Sequence, residues 1–136
     1  MAIDISSLLN AIDRLAEGLE RAASEPEDAI VRDGLIQRFE FTYDLSHKML
    51  RRVMDQAAAD PGEIDRFGFP SLIRVVTEQG LVEQGWPKWQ DFREMRNITS
   101  HTCDEAKAKT VALAIPLFLQ EVEAVAVRLQ RAITAS

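Results

Sequence analysis

The chain of 136 residues has one cysteine, no excess of basic residues and no long apolar run. The single cysteine, Cys103, excludes an intramolecular disulfide and a zinc site with several cysteine ligands, and it fits a reducing compartment. The longest apolar run, residues 111–119, is too short to span a bilayer and contains Pro116. Asp4 and Asp13 interrupt the first apolar pattern, so we expect no signal peptide. These absences predict a cytoplasmic protein that does not associate with a membrane.

Basic residues are not in excess, and this limits nucleic acid as a possible partner. The chain has 16 Lys and Arg against 22 Asp and Glu, a net charge of −6, which argues against a protein that coats polyanions. The whole excess lies in residues 1–46, which hold ten acidic and four basic residues, whereas the rest of the chain holds twelve of each. We therefore expect the acidic first third to be a solvated face or the surface for a basic partner, and a local basic site elsewhere is not excluded.

Apolar residues recur at helical spacing over most of the chain, and no segment of useful length alternates as a strand would. The first helix has Leu8 on its apolar face and Ser6 or Ser7 as its predicted N-cap. The second helix is predicted over residues 26–58, with Pro26 in its first turn. Its apolar surface is so wide that we expect this helix at the centre of a bundle.

The second half of the sequence adds three helices. A short helix is predicted over residues 70–79 and a longer one over residues 87–101, separated by a turn with glycine and proline. Asp104 is the predicted N-cap of the last helix, which we expect to be kinked or broken at Pro116. The predicted fold is a single all-α domain, residues 1–136: an up-and-down antiparallel four-helix bundle with an extra short helix.

One arginine in the fourth helix is unusually placed. Trp89, Phe92, Arg96 and Thr99 share one face of that helix, where a plain bundle would have leucine or isoleucine at the arginine position. A buried or interfacial guanidinium is costly unless it is paired, so Arg96 requires a partner or a function. The aromatic residues around it favour an interface with a second chain.

Arg93, Asn97 and His101 lie along the neighbouring face of the same helix. A guanidinium, an amide and an imidazole together suit a phosphate, because they supply charged donors and a group that transfers protons near pH 7. The alternative is an Arg–carboxylate pair between helices with an ordinary histidine at the helix end, and these residues alone leave both open. Arg96 and His101 are about 140° apart around a helix, so both reach one ligand only if the helix end deforms, the arginine reaches round or two chains meet. A two-fold dimer would bring two of each together.

Two stretches of the sequence carry a family resemblance. The first is Gln-Arg-Phe-Glu-Phe-Thr-Tyr-Asp-Leu over residues 37–45, followed by Lys48. The second begins with Phe-Pro-Ser-Leu-Ile-Arg over residues 69–74 and continues with Glu-Gln-Gly-Leu over residues 78–81 and with Trp89. It ends with Met-Arg-Asn-Ile-Thr-Ser-His-Thr over residues 95–102 and Asp-Glu over residues 104–105. Together they resemble the nucleotidyltransferase substrate-binding subunit family, a branch of the HEPN superfamily. The resemblance implies an all-α bundle that forms homodimers and acts with a small, separately encoded nucleotidyltransferase.

The resemblance implies two possible functions. Related HEPN proteins are ribonuclease toxins neutralised by the nucleotidyltransferase, and their catalytic Arg-x4-His pair corresponds to Arg96 and His101. The other function is a non-catalytic subunit that presents a substrate to the nucleotidyltransferase. The matching positions give the candidate catalytic residues Arg96, His101 and Asn97, and the candidate substrate-binding residues Lys48, Arg93, Glu40 and Ser100. We expect RNA or a nucleotide as the ligand, and no metal or other cofactor.

Two positions depart from the family pattern. Toxins of this type often carry His-x-Tyr, whose tyrosine the antitoxin adenylylates, but here Cys103 stands at the tyrosine position, and we expect a buried, unreactive thiol. Tyr43, the only tyrosine, lies on a predicted buried stripe and is a poor substitute. His47 stands where relatives often carry tryptophan, and we expect it on the surface. We also expect a basic patch, if their helices adjoin, from Lys48, Arg51, Lys88, Arg93 and Arg96.

Overall fold

The computed structural model of the chain describes residues 3–60, 62–101 and 104–135, without the side chains of Ser100 and His101. These residues form five α-helices and no strand: α1 (Ser6–Ser24), α2 (Ala29–Ala57), α3 (Phe69–Glu78), α4 (Trp86–His101) and α5 (Glu105–Ala135). A short 3-10 turn, Ile64–Arg66, lies in the connection between α2 and α3. The prediction of an all-α bundle with an extra short helix, here α3, is confirmed.

Helix α2 packs against the four other α-helices, as its wide apolar surface predicts. The largest fully buried side chains of the core are four aromatic residues, each no more than 1% exposed: Phe39, Trp89, Phe92 and Phe118. Phe118 of α5 meets Phe39 of α2 and Phe92 of α4 edge to face, with ring centroids 4.9 and 5.2 Å apart. These contacts join α2, α4 and α5, so the aromatic core fixes the position of α4 against the other two helices.

Two predicted helix starts are wrong, for the same physical reason. Helix α1 begins at Ser6, so neither Ser6 nor Ser7 is its N-cap, and the Asp4 carboxylate accepts a hydrogen bond from the Ser6 backbone N–H over 2.8 Å. Helix α2 begins three residues after Pro26, because Asp28 caps it. The Asp28 carboxylate accepts from the backbone N–H groups of the second and third helical residues, over 2.9 and 3.2 Å. In both cases a carboxylate side chain accepts from free backbone N–H groups at the start of the helix, one in α1 and two in α2.

Helix α5 starts as predicted, and of the two outcomes expected at Pro116, a kink or a break, the break does not occur. Asp104 accepts from the backbone N–H groups of the second and third residues of the helix over 2.8 and 3.3 Å, which confirms the predicted cap. Pro116 lies inside the helix on its exposed side, and the helix continues through it to Ala135. Ile115 and Phe118 on either side of it are fully buried, and this burial offsets the roughly 3 kcal/mol that an internal proline costs. Helix α5 is long and apolar enough to span a membrane by length and composition alone, but Ile115, Phe118 and Leu129 of this helix are fully buried inside the bundle.

A buried carboxylate holds the turn that precedes α4. Glu121 of α5 is 2% exposed, and its two carboxylate oxygens accept hydrogen bonds from the backbone N–H groups of Glu83 and Gln84 over 3.0 and 2.6 Å. Burial raises the pKa of Glu121, and the two backbone N–H groups oppose that rise. Since α4 begins directly after this turn, these two hydrogen bonds tie the chain before α4 to α5.

Candidate functional site

Helices α2 and α4 lie side by side, and the side chain of Arg96 joins them. Arg96 Nη1 donates to Glu40 Oε2 over 2.7 Å, while Nε and Nη2 donate to the two oxygens of Asp44, each over 3.1 Å. The Arg96 and Glu40 side chains are each 25% exposed. The hydrogen bond to Asp44 is the main cause that raises the pKa of Arg96. Of the two alternatives left open by the sequence, an Arg–carboxylate pair between helices is therefore present, and it accounts for an arginine in an otherwise apolar face.

A cleft of about 300 Å³ opens beside this pair. Helix α2 forms one wall, α4 forms the other, and the start of α3 closes one end. Its lining side chains are Tyr43, Asp44, His47, Phe69, Arg93, Arg96 and Asn97. The structure thus brings together three of the residues predicted as site residues, Arg93, Arg96 and Asn97, on one side of a single cleft.

Arg93 is the cation in this cleft that carries uncompensated charge. Its guanidinium lies over the ring of Phe69, 5.5 Å from the ring centroid, and the side chain is otherwise exposed. Within the part of the chain that the structure describes, no carboxylate forms an ion pair with Arg93. An anion entering the cleft would meet this charge first, because the charge of Arg96 is already balanced by Glu40 and Asp44.

His47 lines the cleft, and the expectation that it lies on the surface is wrong. The ring is half-buried, with its edge against Phe69 at a centroid distance of 4.5 Å. Arg51 Nε donates to His47 Nε2 over 3.1 Å. Burial first and the charge of Arg51 second lower the pKa of His47 to about 4, so the imidazole is neutral at pH 7. The sequence signal for this position is its spacing: His47 is one turn after Tyr43 and Asp44, on the side of α2 that faces α4.

Tyr43 is buried, as predicted, with 5% of its surface exposed. Burial raises its pKa to about 12, so the phenol is neutral over the physiological range. This burial agrees with the prediction that Tyr43 is a poor acceptor for an adenylyl group. Ser100 and His101 belong to α4, but their side chains lie outside the described residues, as does Cys103.

The expected five-residue basic patch does not form as a unit. Lys48 is exposed on α2, and neither it nor Lys88 lines the cleft. The two Nη groups of Arg51 donate to the backbone carbonyls of residues 64 and 67, each over 3.1 Å, so this guanidinium supports the connection between α2 and α3. Two of the five residues, Arg93 and Arg96, remain in the cleft. Helical spacing alone did not reveal that two loop carbonyls would accept hydrogen bonds from Arg51.

The aromatic residues on the Arg96 face are not available to a second chain, contrary to expectation. Trp89 is fully buried and Phe92 is 1% exposed, and both pack inside the bundle against Phe118. The exposed aromatic side chain near the site is instead Phe41, which is 63% exposed and directly follows Glu40 on α2. An interface beside the cleft would therefore be formed by α2.

Asp44, like His47, lines the cleft and was not among the site residues predicted from the sequence. It contributes two of the hydrogen bonds that hold Arg96, and it lines the cleft. Asp44 is four residues after Glu40, which places both carboxylates on one side of α2. This spacing could have identified Asp44 as a second partner for an arginine. Among the residues described by the structure, no group of three His, Cys, Asp or Glu side chains is arranged to hold a metal ion.

The fold and the cleft define an all-helical bundle with an arginine-lined site between its second and fourth helices, a helical subunit of the HEPN type. The chain belongs to the family described as nucleotidyltransferase substrate binding protein like, whose model matches residues 3–131. It is 38% identical over 125 residues to a Haemophilus influenzae protein named probable ribonuclease HepT, covering 83% of this chain and 85% of that protein. It is also similar to a solved Haemophilus influenzae structure described as the fold of a substrate binding domain of a nucleotidyltransferase. That match has a TM-score of 0.86 and 32% identity, over 93% of this chain and 99% of the other.

Proposed function

We propose that this chain is the HEPN-type subunit of a two-component system with a small, separate nucleotidyltransferase, and that it is a metal-independent endoribonuclease which this partner neutralises. The observation that carries the proposal is the cleft, which places the uncompensated charge of Arg93 next to Arg96 and Asn97 on the helix that ends at His101. The similarity to a protein named probable ribonuclease HepT supports it.

The proposed reaction requires one base and a group that stabilises phosphoryl charge. His101, in its neutral form, takes the proton from a ribose 2′-hydroxyl, and the 2′-oxygen attacks the adjacent phosphorus. The bond from phosphorus to the 5′-oxygen breaks, that oxygen takes up a proton, and the products are a 2′,3′-cyclic phosphate and a 5′-hydroxyl. Arg96, held in orientation by Glu40 and Asp44, and Arg93 stabilise the negative charge on the phosphoryl oxygens.

The proposal includes a homodimer, because one copy of α4 places Arg96 and His101 about 140° apart. Two copies related by a two-fold axis would allow Arg96 of one chain to act with His101 of the other. Phe41 is the side chain that favours such an interface beside the cleft. It is 63% exposed and lies three residues before Asp44, on the same side of α2. We propose that the two α2 helices meet there in the cytoplasmic dimer.

A second candidate function is a non-catalytic subunit that presents a substrate to the nucleotidyltransferase. Two observations favour it. The charge of Arg96 is already balanced by two carboxylates, which reduces its attraction for a phosphoryl group. The net charge of −6 also opposes the binding of a long RNA. This candidate shares the fold, the cleft and the partner with the first, and differs in whether RNA is cleaved.

The test compares the wild-type protein with His101→Ala, using Arg131→Ala on α5 as a control away from the cleft. We expect the purified wild type to cleave single-stranded RNA in the presence of EDTA and to leave 2′,3′-cyclic phosphate ends. His101→Ala should be slower by about 100-fold or more, the range for loss of a general base, and Arg131→Ala should match the wild type. In bacteria, the wild type alone should slow growth, and co-expression of the nucleotidyltransferase should restore it. No cleavage by the wild type, together with equal growth of all three strains, would favour the substrate-presenting subunit.

A further inference from the structure

His47 lies in the cleft, and the proposed reaction does not use it. Its ring packs edge-on against Phe69, with centroids 4.5 Å apart, and the ring of Tyr43 is 6.4 Å away. The side chain is half-buried and lines the same cavity as Arg93 and Arg96. These contacts restrict the ring, so its polar atoms have defined positions rather than turning freely in solvent.

One of the two ring nitrogens of His47 already accepts a hydrogen bond. Arg51 Nε donates to His47 Nε2 over 3.1 Å, and a guanidinium has donors but no acceptor. Arg51 is itself fixed, because its Nη groups donate to the backbone carbonyls of Ile64 and Phe67. His47 Nε2 must therefore be the unprotonated nitrogen, and in the neutral ring the proton is on Nδ1.

The surroundings of the ring favour its neutral form. Burial is the main cause that opposes a positive charge on His47, and Arg51 of α2 is the second. Asp44 of α2 favours a positive charge, and Arg93 of α4 opposes one more weakly. On α3, the side chain packed against His47 is the apolar Phe69. With Nε2 occupied and the ring neutral, the one polar group that His47 offers to a ligand in the cleft is the Nδ1–H donor.

We propose that His47 is a ligand-binding residue whose Nδ1–H donates a hydrogen bond to a phosphoryl oxygen of the RNA strand held by Arg93 and Arg96. This inference rests on the proposed function, since it assigns the strand's phosphodiester to the same cleft. A neutral donor suits this position, because a third positive charge would be repelled by the two arginines, whereas an N–H group adds direction without charge. The arrangement also excludes His47 as the general base, since neither of its nitrogens has a free lone pair, and this leaves the base role to His101.

The first test uses the wild-type protein and the ¹⁵N spectrum of its imidazoles at pH 7. We expect His47 to show a protonated Nδ1 and an unprotonated Nε2. Three probes are then added separately: a dinucleotide with a 2′-deoxyribose, whose phosphodiester cannot be cleaved by this route, inorganic phosphate, and adenosine. The His47 Nδ1–H resonance should shift with the two phosphate-bearing probes and not with adenosine. A proton on Nε2, or an equal response to adenosine, would overturn the inference.

The second test measures the affinity for the same dinucleotide in two variants. His47→Leu removes the donor and should weaken binding about tenfold, the usual effect of one hydrogen bond to a charged acceptor. His47→Asn keeps an N–H donor on a shorter side chain and should recover most of this loss. Equal binding by the wild type and a folded His47→Leu variant would overturn the inference and leave the proposed function intact. No binding of the dinucleotide by the wild type would overturn both. If His47→Leu does not fold, the ¹⁵N spectrum of the wild type with the three probes still tests the inference.

Discussion

Arg96 Nη1 lies 2.7 Å from Glu40 Oε2, and this contact joins helices α4 and α2 across 56 positions of the sequence. Asp44 holds the other edge of the same guanidinium through two further hydrogen bonds. The arginine that the family resemblance marks as catalytic is thus also a link between two helices. Its orientation is set before any ligand arrives, which favours catalysis, and its charge is largely balanced, which limits its affinity for anions.

The first prediction concerns this link. Glu40→Gln should lower the free energy of unfolding by about 1 kcal/mol, because the pair is well aligned but partly exposed to solvent. Urea unfolding followed by circular dichroism measures the change. Glu94→Gln on α4 is the matched control, since Glu94 is exposed and forms no ion pair within the described part of the chain. Equal stability of the two variants would show that the Arg96–Glu40 contact contributes nothing measurable.

The second prediction concerns Arg93 as the cation that first meets an anion. Arg93→Gln should weaken binding of a short single-stranded RNA about tenfold at low salt and reduce the slope of log K against log salt by about 0.7, the value for one lost phosphate contact on a single strand. Fluorescence anisotropy at several salt concentrations gives both numbers. Arg131→Gln, which removes the same charge from the far end of α5, is the control. A slope that does not differ between these variants would place RNA elsewhere on the surface.

The third prediction concerns the pH dependence of stability. The pKa of His47 is lowered to about 4 in the folded state from 6.5, so the unfolded chain binds more protons between these values. The stability that the neutral ring contributes is therefore full above about pH 6.5 and is lost as the pH falls towards about 4. Between pH 7.5 and pH 5 the wild type should lose about 1 kcal/mol more than His47→Asn, after allowance for the solvent-exposed part of the ring.

Urea unfolding at the two pH values measures this difference. The raised pKa of Glu121 acts in the opposite direction, since its burial as an anion costs more as the pH rises, but it is common to both proteins and cancels in the comparison. An identical loss in the wild type and in His47→Asn would show that the ring is solvated rather than buried against Phe69.

The fourth prediction concerns the turn before α4. Glu121→Leu should lower the free energy of unfolding by about 3 kcal/mol, because it leaves the backbone N–H groups of Glu83 and Gln84 without their acceptor. Glu121→Gln retains one acceptor oxygen and should cost less. Thermal unfolding measures both, and Glu123→Leu is the control, since Glu123 is exposed two residues away on the same helix. A Glu121→Leu protein as stable as the control would show that the turn does not need the carboxylate.

The fifth prediction concerns the proposed dimer. Phe41→Glu should convert the dimer to a monomer, because it places a charge where the proposed interface buries an aromatic side chain. Leu113→Glu on α5, which alters a side chain that is 84% exposed, should leave the dimer intact. Sedimentation velocity at several concentrations distinguishes these outcomes. Dissociation by Leu113→Glu and not by Phe41→Glu would move the interface to α5.

Much of the fold follows from local sequence. The spacing of apolar residues located the helices, because each helix must bury one side against the others, and the width of the apolar surface of α2 identified it as central. The start of α5 followed from Asp104, whose carboxylate satisfies free N–H groups wherever it precedes a helix. The starts of α1 and α2 were misplaced because several residues near each start are able to cap, and the choice among them depends on the path of the preceding chain.

The sequence by itself determined the fold class and the cluster of Arg93, Arg96 and Asn97 on α4, since both depend on helical periodicity. Only the tertiary structure decided which of the two arginines, Arg93 or Arg96, has a charge that no carboxylate balances. The packing of α4 against α2 brings two carboxylates to Arg96 and, among the described residues, none to Arg93. Arg51 instead donates hydrogen bonds to two loop carbonyls. The same packing leaves His47 half-buried at the side of the cleft. Charge balance and burial depend on groups that are distant in the sequence, so spacing along one helix could not predict them.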